Sequence, residues 1–241
     1  MRLKAIVQYK GTSYYGFQIQ PSEKEKSIQK DIQDALSKIF STDIKIIASG
    51  RTDKGVHSLC QCFHFDIERE DVDLYRLKYS INSLLNNDIF IKELSIVDQD
   101  FHARFSVKSK TYRYVINIGD YSPFLNDLVY NFNRKLDIDK MKKASELFLG
   151  EHSFHNFCTN DEDFIRTIYE IEFQTKGDYL IIDIKGNGFR RYMVRMIIGT
   201  LIQVGLGKED YVSLRKYLKP NMNRVRYKAP SVGLYLYKIE Y

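Results

Sequence analysis

The sequence predicts an α+β protein built as two halves of similar element order. Three observations lead there. Short runs alternate apolar and polar residues, as half-buried strands do, while other runs place apolar residues at helical spacing. The order of strands and helices in the first half returns in the second, although no repeat is visible letter by letter. Sheets packed by helices on one face then give each half its own core.

The elements follow in order. Residues 2–9 alternate as a first strand, and KGTSYYG after them reads as a turn or loop. Ser27 is placed to cap a helix whose inward positions are Ile28, Ile32, Ala35, Leu36 and Ile39. DIKIIASG reads as a strand that runs into SGRTDKGVHS, and LCQCFHFDI as the strand that leaves it. Leu74, Leu77, Ile81 and Leu84 mark a second helix, and IFIKELSIV a further strand.

The second half opens with the strand KTYRYVINI. A helix over 139–149 follows, with Met141, Ala144, Leu147 and Phe148 inward. TIYEIEFQTKGDYLIIDIKG is a hairpin turning at Lys176-Gly177-Asp178. Met193, Ile197, Ile198, Leu201 and Val204 predict a helix, residues 210–218 a shorter one, and GLYLYKIEY a closing strand. The expected halves are residues 1–107 and 108–241.

Composition narrows the function. The 241 residues are 44% hydrophobic and 28% charged, which separates the chain from disordered proteins. No window approaches the roughly 18 apolar residues of a membrane span. MRLKAIVQYKG reads as a strand and not as a signal peptide, so a cytoplasmic location is expected. Cys60, Cys62 and Cys158 make no disulfide framework and are read as reduced structural thiols.

The net charge of +6 is unevenly spread. Arg190, Arg191 and Arg195 form one basic group, Arg224, Arg226 and Lys228 another, and Lys108, Lys110 and Arg113 a third. Tyr112, Tyr114, Phe189, Tyr192 and Tyr227 are interleaved with them. Cations meet phosphates while aromatic faces stack on bases, so the mixture suits single-stranded or looped RNA. A solvated basic face accounts for any one group equally well.

Asp53 is the residue with chemistry to offer. Gly50 and Gly55 bracket it, and Arg51 and Lys54 stand within two positions. Neighbouring cations keep a carboxylate ionised, available as nucleophile or base. His57 is read as a support of this loop through a hydrogen bond. His152, His155 and Cys158 sit at turn spacing that a metal could use, but the pattern is weak and no metal is expected.

Several segments carry a resemblance. GRTDKGVHSLCQCFHFD resembles the signature loop of the tRNA pseudouridine synthase A family. DFHARFSVKSKTYRYVI (100–116), GEHSFHNF (150–157), YLIIDIKGNGFRRYMVRMIIGTLIQVG (179–205) and GLYLYKIEY resemble its later motifs in order and spacing. The resemblance implies two ferredoxin-like halves whose antiparallel sheets join around a central catalytic cleft. It also implies a cofactor-free isomerase, homodimeric, that modifies uridines of the tRNA anticodon arm at nucleotides 38–40. Asp53 would be the catalytic aspartate, Arg51 would help extrude the target nucleotide, and Tyr112 would stack on the flipped uracil. Arg195 would pair with Asp53, and Leu234 would wall the pocket. Lys54, Lys110, Arg190 and Arg191 are the expected RNA contacts beside them.

Departures from the family pattern stand at Lys10, Phe17, Lys54 and in MNRVRYKAPSVGLYL (222–236). They leave ribosomal RNA open as the target. A non-catalytic RNA-binding protein on the same fold is a rival of another class. A metal-dependent nuclease around Asp53, His152 and His155 is a third.

Overall fold

The computed structural model describes residues 1–22, 25–159, 164–219 and 224–241. In its first part run β1 (Arg2–Tyr9), α1 (Ile28–Phe40), β2 (Ile47–Ala48), β3 (His57–Asp66), α2 (Leu74–Leu84) and β4 (Ile89–Val97). Then come β5 (Ser109–Asn117), β6 (Tyr130–Asn131), α3 (Ile138–Ser145), β7 (Gly150–Ser153), β8 (Ile165–Lys176) and β9 (Tyr179–Gly186). α4 (Met193–Gly205), α5 (Tyr211–Tyr217) and β10 (Leu234–Glu240) complete the chain. The fold is mixed α+β. Among the described residues no helix is long and apolar enough to cross a membrane.

The chain divides into two units, Met1–Lys108 with Tyr235–Tyr241, and Ser109–Leu234. Sequence order alone puts 108–241 in one half. The closing strand instead groups with the first unit, where Tyr235 and Leu236 pair in parallel with His57 and Ser58 of β3. Lys108 N–H to the Glu240 carbonyl and Tyr241 Oη to the Ala103 carbonyl extend that attachment.

In the first unit β1 lies between β4 and β3, antiparallel to both. The other edge of β3 carries β2 at Phe63 and His64, and β10 at His57 and Ser58. Alternation places Leu3, Ala5, Val7 and Tyr9 on the buried side of β1. They share a core with Ile28, Ile32 and Leu36 of α1, Leu77 and Ile81 of α2, and Phe63 and Phe65 of β3. Each valine, leucine, isoleucine and phenylalanine among them contributes about 1.5–3 kcal/mol by leaving water. Ser27 caps α1 as its sequence suggests, accepting from Lys30 N–H.

The stretch before the Asp53 loop is less strand-like than DIKIIASG suggests. Ile44 and Ile46 are buried, but their N–H groups donate to Ser37 Oγ and Gln33 Oε1 of α1. Ile47 and Ala48 pair with β3, and Ser49 N–H donates to the Cys62 carbonyl beyond them.

The second unit is the antiparallel sheet β5-β9-β8-β7, with β6 added in parallel to β5. Gly177, at φ 55°, turns the β8–β9 hairpin where the sequence places it. Helix α4 is its most buried helix, from Met193 through Gly205. The helix expected over 139–149 starts one residue earlier, capped by Asp137, and ends at Ser145. Its last turn tightens to 3₁₀ over Glu146–Phe148 before Gly150, at φ 89°.

Candidate functional site

The Asp53 loop in the first unit is held residue by residue. Ser49 Oγ donates to Gln61 Oε1 at 2.6 Å, and Gln61 Nε2 donates to the Gly50 carbonyl at 2.9 Å. Thr52 is gripped from two sides. Its hydroxyl shares a buried 2.8 Å hydrogen bond with Tyr9 Oη, and its carbonyl accepts from Phe17 N–H at 3.2 Å. Burial raises the Tyr9 pKa well above the usual phenol value, so this partner stays neutral. The Asp53 carbonyl accepts from Val56 N–H at 3.1 Å, closing a turn whose third residue, Gly55, has φ 75°. A positive φ at that position is what makes glycine the natural choice there. Gly55 N–H in turn donates to the Tyr14 carbonyl.

Segment 11–17 is the opposing wall. Gly16 has φ 108°, and a Cβ on it would lie 2.6 Å from the Thr52 carbonyl oxygen. A Cβ on Gly11 would lie 2.0 Å from the Val56 carbonyl oxygen. The two glycines therefore let one backbone lie against the other. Gly11 N–H donates to His57 Nδ1 at 3.1 Å, and the buried His57 ring stacks on Tyr235 at 4.8 Å. His57 is thus a brace of the loop, as expected. Burial lifts the Tyr235 hydroxyl to about 12, which keeps that ring uncharged.

Of the expected site residues here, Arg51 is exposed and Asp53 half-buried. Lys54 is exposed too, with its ammonium 3.7 Å from the Tyr15 ring centre, so the same opposing segment draws it in.

The second unit places Tyr112 on β5 opposite Ile184 of β9, buried, with Phe189 edge-on to its ring at 5.2 Å. Phe189 directly precedes Arg190 and Arg191, so this contact ties the Tyr112 strand to the basic entrance of α4. Lys110 is half-buried on the same strand. Arg113 is not a free RNA contact: it forms a bidentate ion pair with Asp183 at 2.8 and 2.7 Å.

Arg195, half-buried on α4, is pinned to residue 229 twice. Its Nε donates to the Ala229 carbonyl at 2.8 Å, and its own carbonyl accepts from Ala229 N–H at 2.9 Å. Gly199 permits the approach, since a Cβ there would meet the Tyr227 carbonyl oxygen at 2.7 Å. Leu234 is buried just after Gly233, whose carbonyl accepts from Val115 N–H.

Three cations converge on one ring. Lys228 lies 4.3 Å, Arg191 4.9 Å and Arg195 5.5 Å from the centre of Tyr192. Tyr192 itself has φ 65°, a region a tyrosine adopts at a cost. Sequence reasoning separates Arg191 and Arg195 from Lys228 and gives Tyr192 no special place. Gln61, Tyr9 and the wall around Gly11 and Gly16 are likewise missed; the paired glycines around two tyrosines were the available signal.

The other chemistry-bearing candidates have structural work. His152 Nε2 contacts the Leu149 carbonyl at 2.7 Å, and His155 packs edge-on against Phe164. Among the described residues no group of three or more His, Cys, Asp and Glu gathers as metal ligands do. All three cysteines are free thiols, and burial pushes the Cys60 thiol up to about 11. Met222 and Asn223, at the start of the departing segment 222–236, lie outside the described residues.

Against this geometry the family is unambiguous. The chain matches the family model described as tRNA pseudouridine synthase over residues 5–106 and 144–241, and it belongs to that family. It is 39% identical over 248 residues to the tRNA pseudouridine synthase A of Bacillus pumilus, covering 100% of this chain and 99% of that protein. It is 40% identical over 243 residues to the protein of the same name from Dictyoglomus thermophilum, covering 99% and 98%. Tyr112 falls between the two segments of the family match but inside both full-length alignments. Among solved structures, a chain of a Cbf5-Nop10-Gar1 complex is 14% identical, with TM-score 0.35 over 83% of this chain and 54% of that one. That likeness is slight, and the family assignment rests on the sequence matches.

Proposed function

We propose that this protein is a tRNA pseudouridine synthase that isomerises uridine to pseudouridine in the anticodon arm. The observation that carries the proposal is the family match through the Asp53 loop, together with the dense tethering of that loop.

The reaction asks for little besides positioning. The bond from ribose C1′ to uracil N1 breaks, the uracil turns, and a bond from C1′ to C5 forms. The hydrogen on C5 leaves and N1 takes up a proton, so the product is an isomer and no electrons are gained or lost. One carboxylate can serve, by attacking C1′ or by removing a ribose proton to give a glycal. Asp53 is that carboxylate in our reading, and the family resemblance supplies Arg195 as its counter-ion. The uridine must first leave its stack, at a cost of about a few kcal/mol that is least where pairing is weak. Arg51, exposed on the same loop, is suited to fill the vacated space. Tyr112 is the aromatic partner of the base, and Leu234 an apolar wall. Lys54, Lys110, Arg190 and Arg191 meet the phosphates. By the same resemblance the enzyme works without a cofactor and as a homodimer, and its expected location is the cytoplasm.

Tritium release from transcripts labelled at uridine C5 tests the activity, because that hydrogen leaves only when C5 becomes the attachment point. We expect release from tRNA. Release only from ribosomal RNA fragments would keep the chemistry and move the target. Silence on both would leave an RNA-binding protein.

A further inference from the structure

A groove of about 560 Å³ in the second unit is lined by none of the residues assigned a part in the reaction, although Ala229 in its lining is hydrogen-bonded to Arg195. Tyr130, Phe132, Arg134, Gln203, Lys208 and Lys228 are prominent in its lining, and no carboxylate is among the residues that form it. Such a volume is of the size that holds a small ligand or one unit of a chain. Resting on the reading of the protein as a tRNA-modifying enzyme, we propose that this groove binds the sugar–phosphate backbone of the same RNA at a segment other than the reacting nucleotide.

Charge is the first argument. Arg134, Lys208 and Lys228 are all exposed, and among the described residues none of them forms an ion pair. Glu209 follows Lys208 directly, and it faces the hydroxyls of Tyr217 and Tyr227. The end of α4 lines the groove, and exposed helix carbonyls would repel a phosphate. Here Ile202, Gln203 and Val204 already have their carbonyls occupied by the N–H groups of Leu206, Lys208 and Gly207. Gly207, at φ 68°, makes the turn that presents Lys208.

Continuity is the second argument, and it favours a polymer over a free phosphate compound. Lys228 lines the groove and also stands over Tyr192 beside Arg191. At the other side, Asn133 and Arg134 are shared with a second groove of about 500 Å³ that adds Lys135, with Asp120 its one carboxylate. Arg191, Lys228, Lys208, Arg134 and Lys135 thus form a run of cations along adjoining surfaces. Tyr130 and Tyr227, both half-buried, supply aromatic walls against which a base can rest. A single phosphate ester would use one station of such a run; a strand would use several.

The test is the salt dependence of tRNA affinity for the full chain, between roughly 50 and 200 mM salt. An Arg134→Gln, Lys208→Gln double variant is compared with Lys142→Gln, Lys143→Gln, which removes the same charge from the exposed side of α3. Circular dichroism verifies that both fold. We expect the slope of log Kd against log salt to shrink by about 1.4–1.8 in the groove variant, since each lost phosphate contact removes about 0.7–0.9. The α3 variant should keep the native slope. An unchanged slope in the groove variant, or an equal loss in the α3 variant, overturns the proposal. So does displacement of tRNA from native protein, but not from the groove variant, by millimolar uridine monophosphate, which would make the groove a free-nucleotide site. Tritium release by the native chain reads the enzymatic assignment separately: a changed slope without release would keep the groove and remove the isomerase.

Discussion

The loop around Asp53 and the basic region around Tyr192 are built by opposite means. The loop is held by neutral hydrogen bonds with Tyr9, Phe17 and Gln61 and by one it donates to the Tyr14 carbonyl, and by two glycines that let backbone meet backbone. The Tyr192 region gathers charge: three cations stand around one ring, and two of them, Arg191 and Lys228, are exposed. Short neutral contacts fix geometry and are insensitive to salt. Exposed cations fix little, but they attract phosphates from a distance and are screened by salt. Under the proposed function the Asp53 loop is the part that positions and the Tyr192 region the part that grips.

Substitutions should separate the two. The largest effect is expected for Gly16→Ala, which puts a Cβ 2.6 Å from the Thr52 carbonyl at φ 108°. It should cost about 1–3 kcal/mol in chemical denaturation and lower turnover, while the salt slope of RNA binding stays native. A change in slope would merge the two regions.

Tyr9→Phe is milder. It removes the hydroxyl facing Thr52 and should cost about 1 kcal/mol, with kcat falling more than KM rises. Equal loss in thermal stability but none in kcat would make Tyr9 a core residue only.

Tyr192→Asn acts on the other side of the comparison. Asparagine accepts φ 65° more readily than tyrosine but offers no ring to the cations. Stability should hold within about 0.5 kcal/mol. RNA affinity should weaken by a factor corresponding to about 0.5–1 kcal/mol. Unchanged affinity would show that the ring does not organise the cations.

The smallest effect is an acid one, remote from both regions. The Arg2 guanidinium holds the Asp66 carboxyl below its usual range through paired hydrogen bonds at 2.8 and 2.9 Å. The folded pKa is depressed, so the stabilisation is present above the ordinary value of about 3.9 and lost as pH falls through the folded value. With the Asp66 side chain 57% exposed, solvent screens most of it. The denaturation midpoints of native and Asp66→Asn protein should therefore differ slightly at neutral pH and converge in acid. A gap that persists in acid would have another cause.

What the sequence discloses follows the range of the interactions. α1 was legible because Ser27, Ile28, Ile32 and Leu36 act within a few turns of one another. The β8–β9 hairpin was legible because Gly177 determines it locally. Asp53 stood out through its own neighbours in sequence. The clasp from Tyr9 to Thr52 joins residues 43 positions apart through one hydroxyl, and no periodicity announces it. The same holds for Lys228 reaching Tyr192, and for β10 pairing with β3. Ile44 and Ile46 look like strand residues because they are apolar and alternate. Their N–H groups are claimed by side chains of α1, which only the packed unit reveals.

Under the proposed function Asp53 performs chemistry on RNA that other residues hold. The most direct test of this is single-turnover tritium release from C5-labelled tRNA by Asp53→Asn protein, at concentrations where filter binding shows all the RNA bound. We expect no release at any protein concentration, with tRNA affinity within about tenfold of native, because phosphate contacts supply most of the binding. Release from fully bound tRNA by the Asp53→Asn protein would contradict this reading and reduce Asp53 to a support of its own loop.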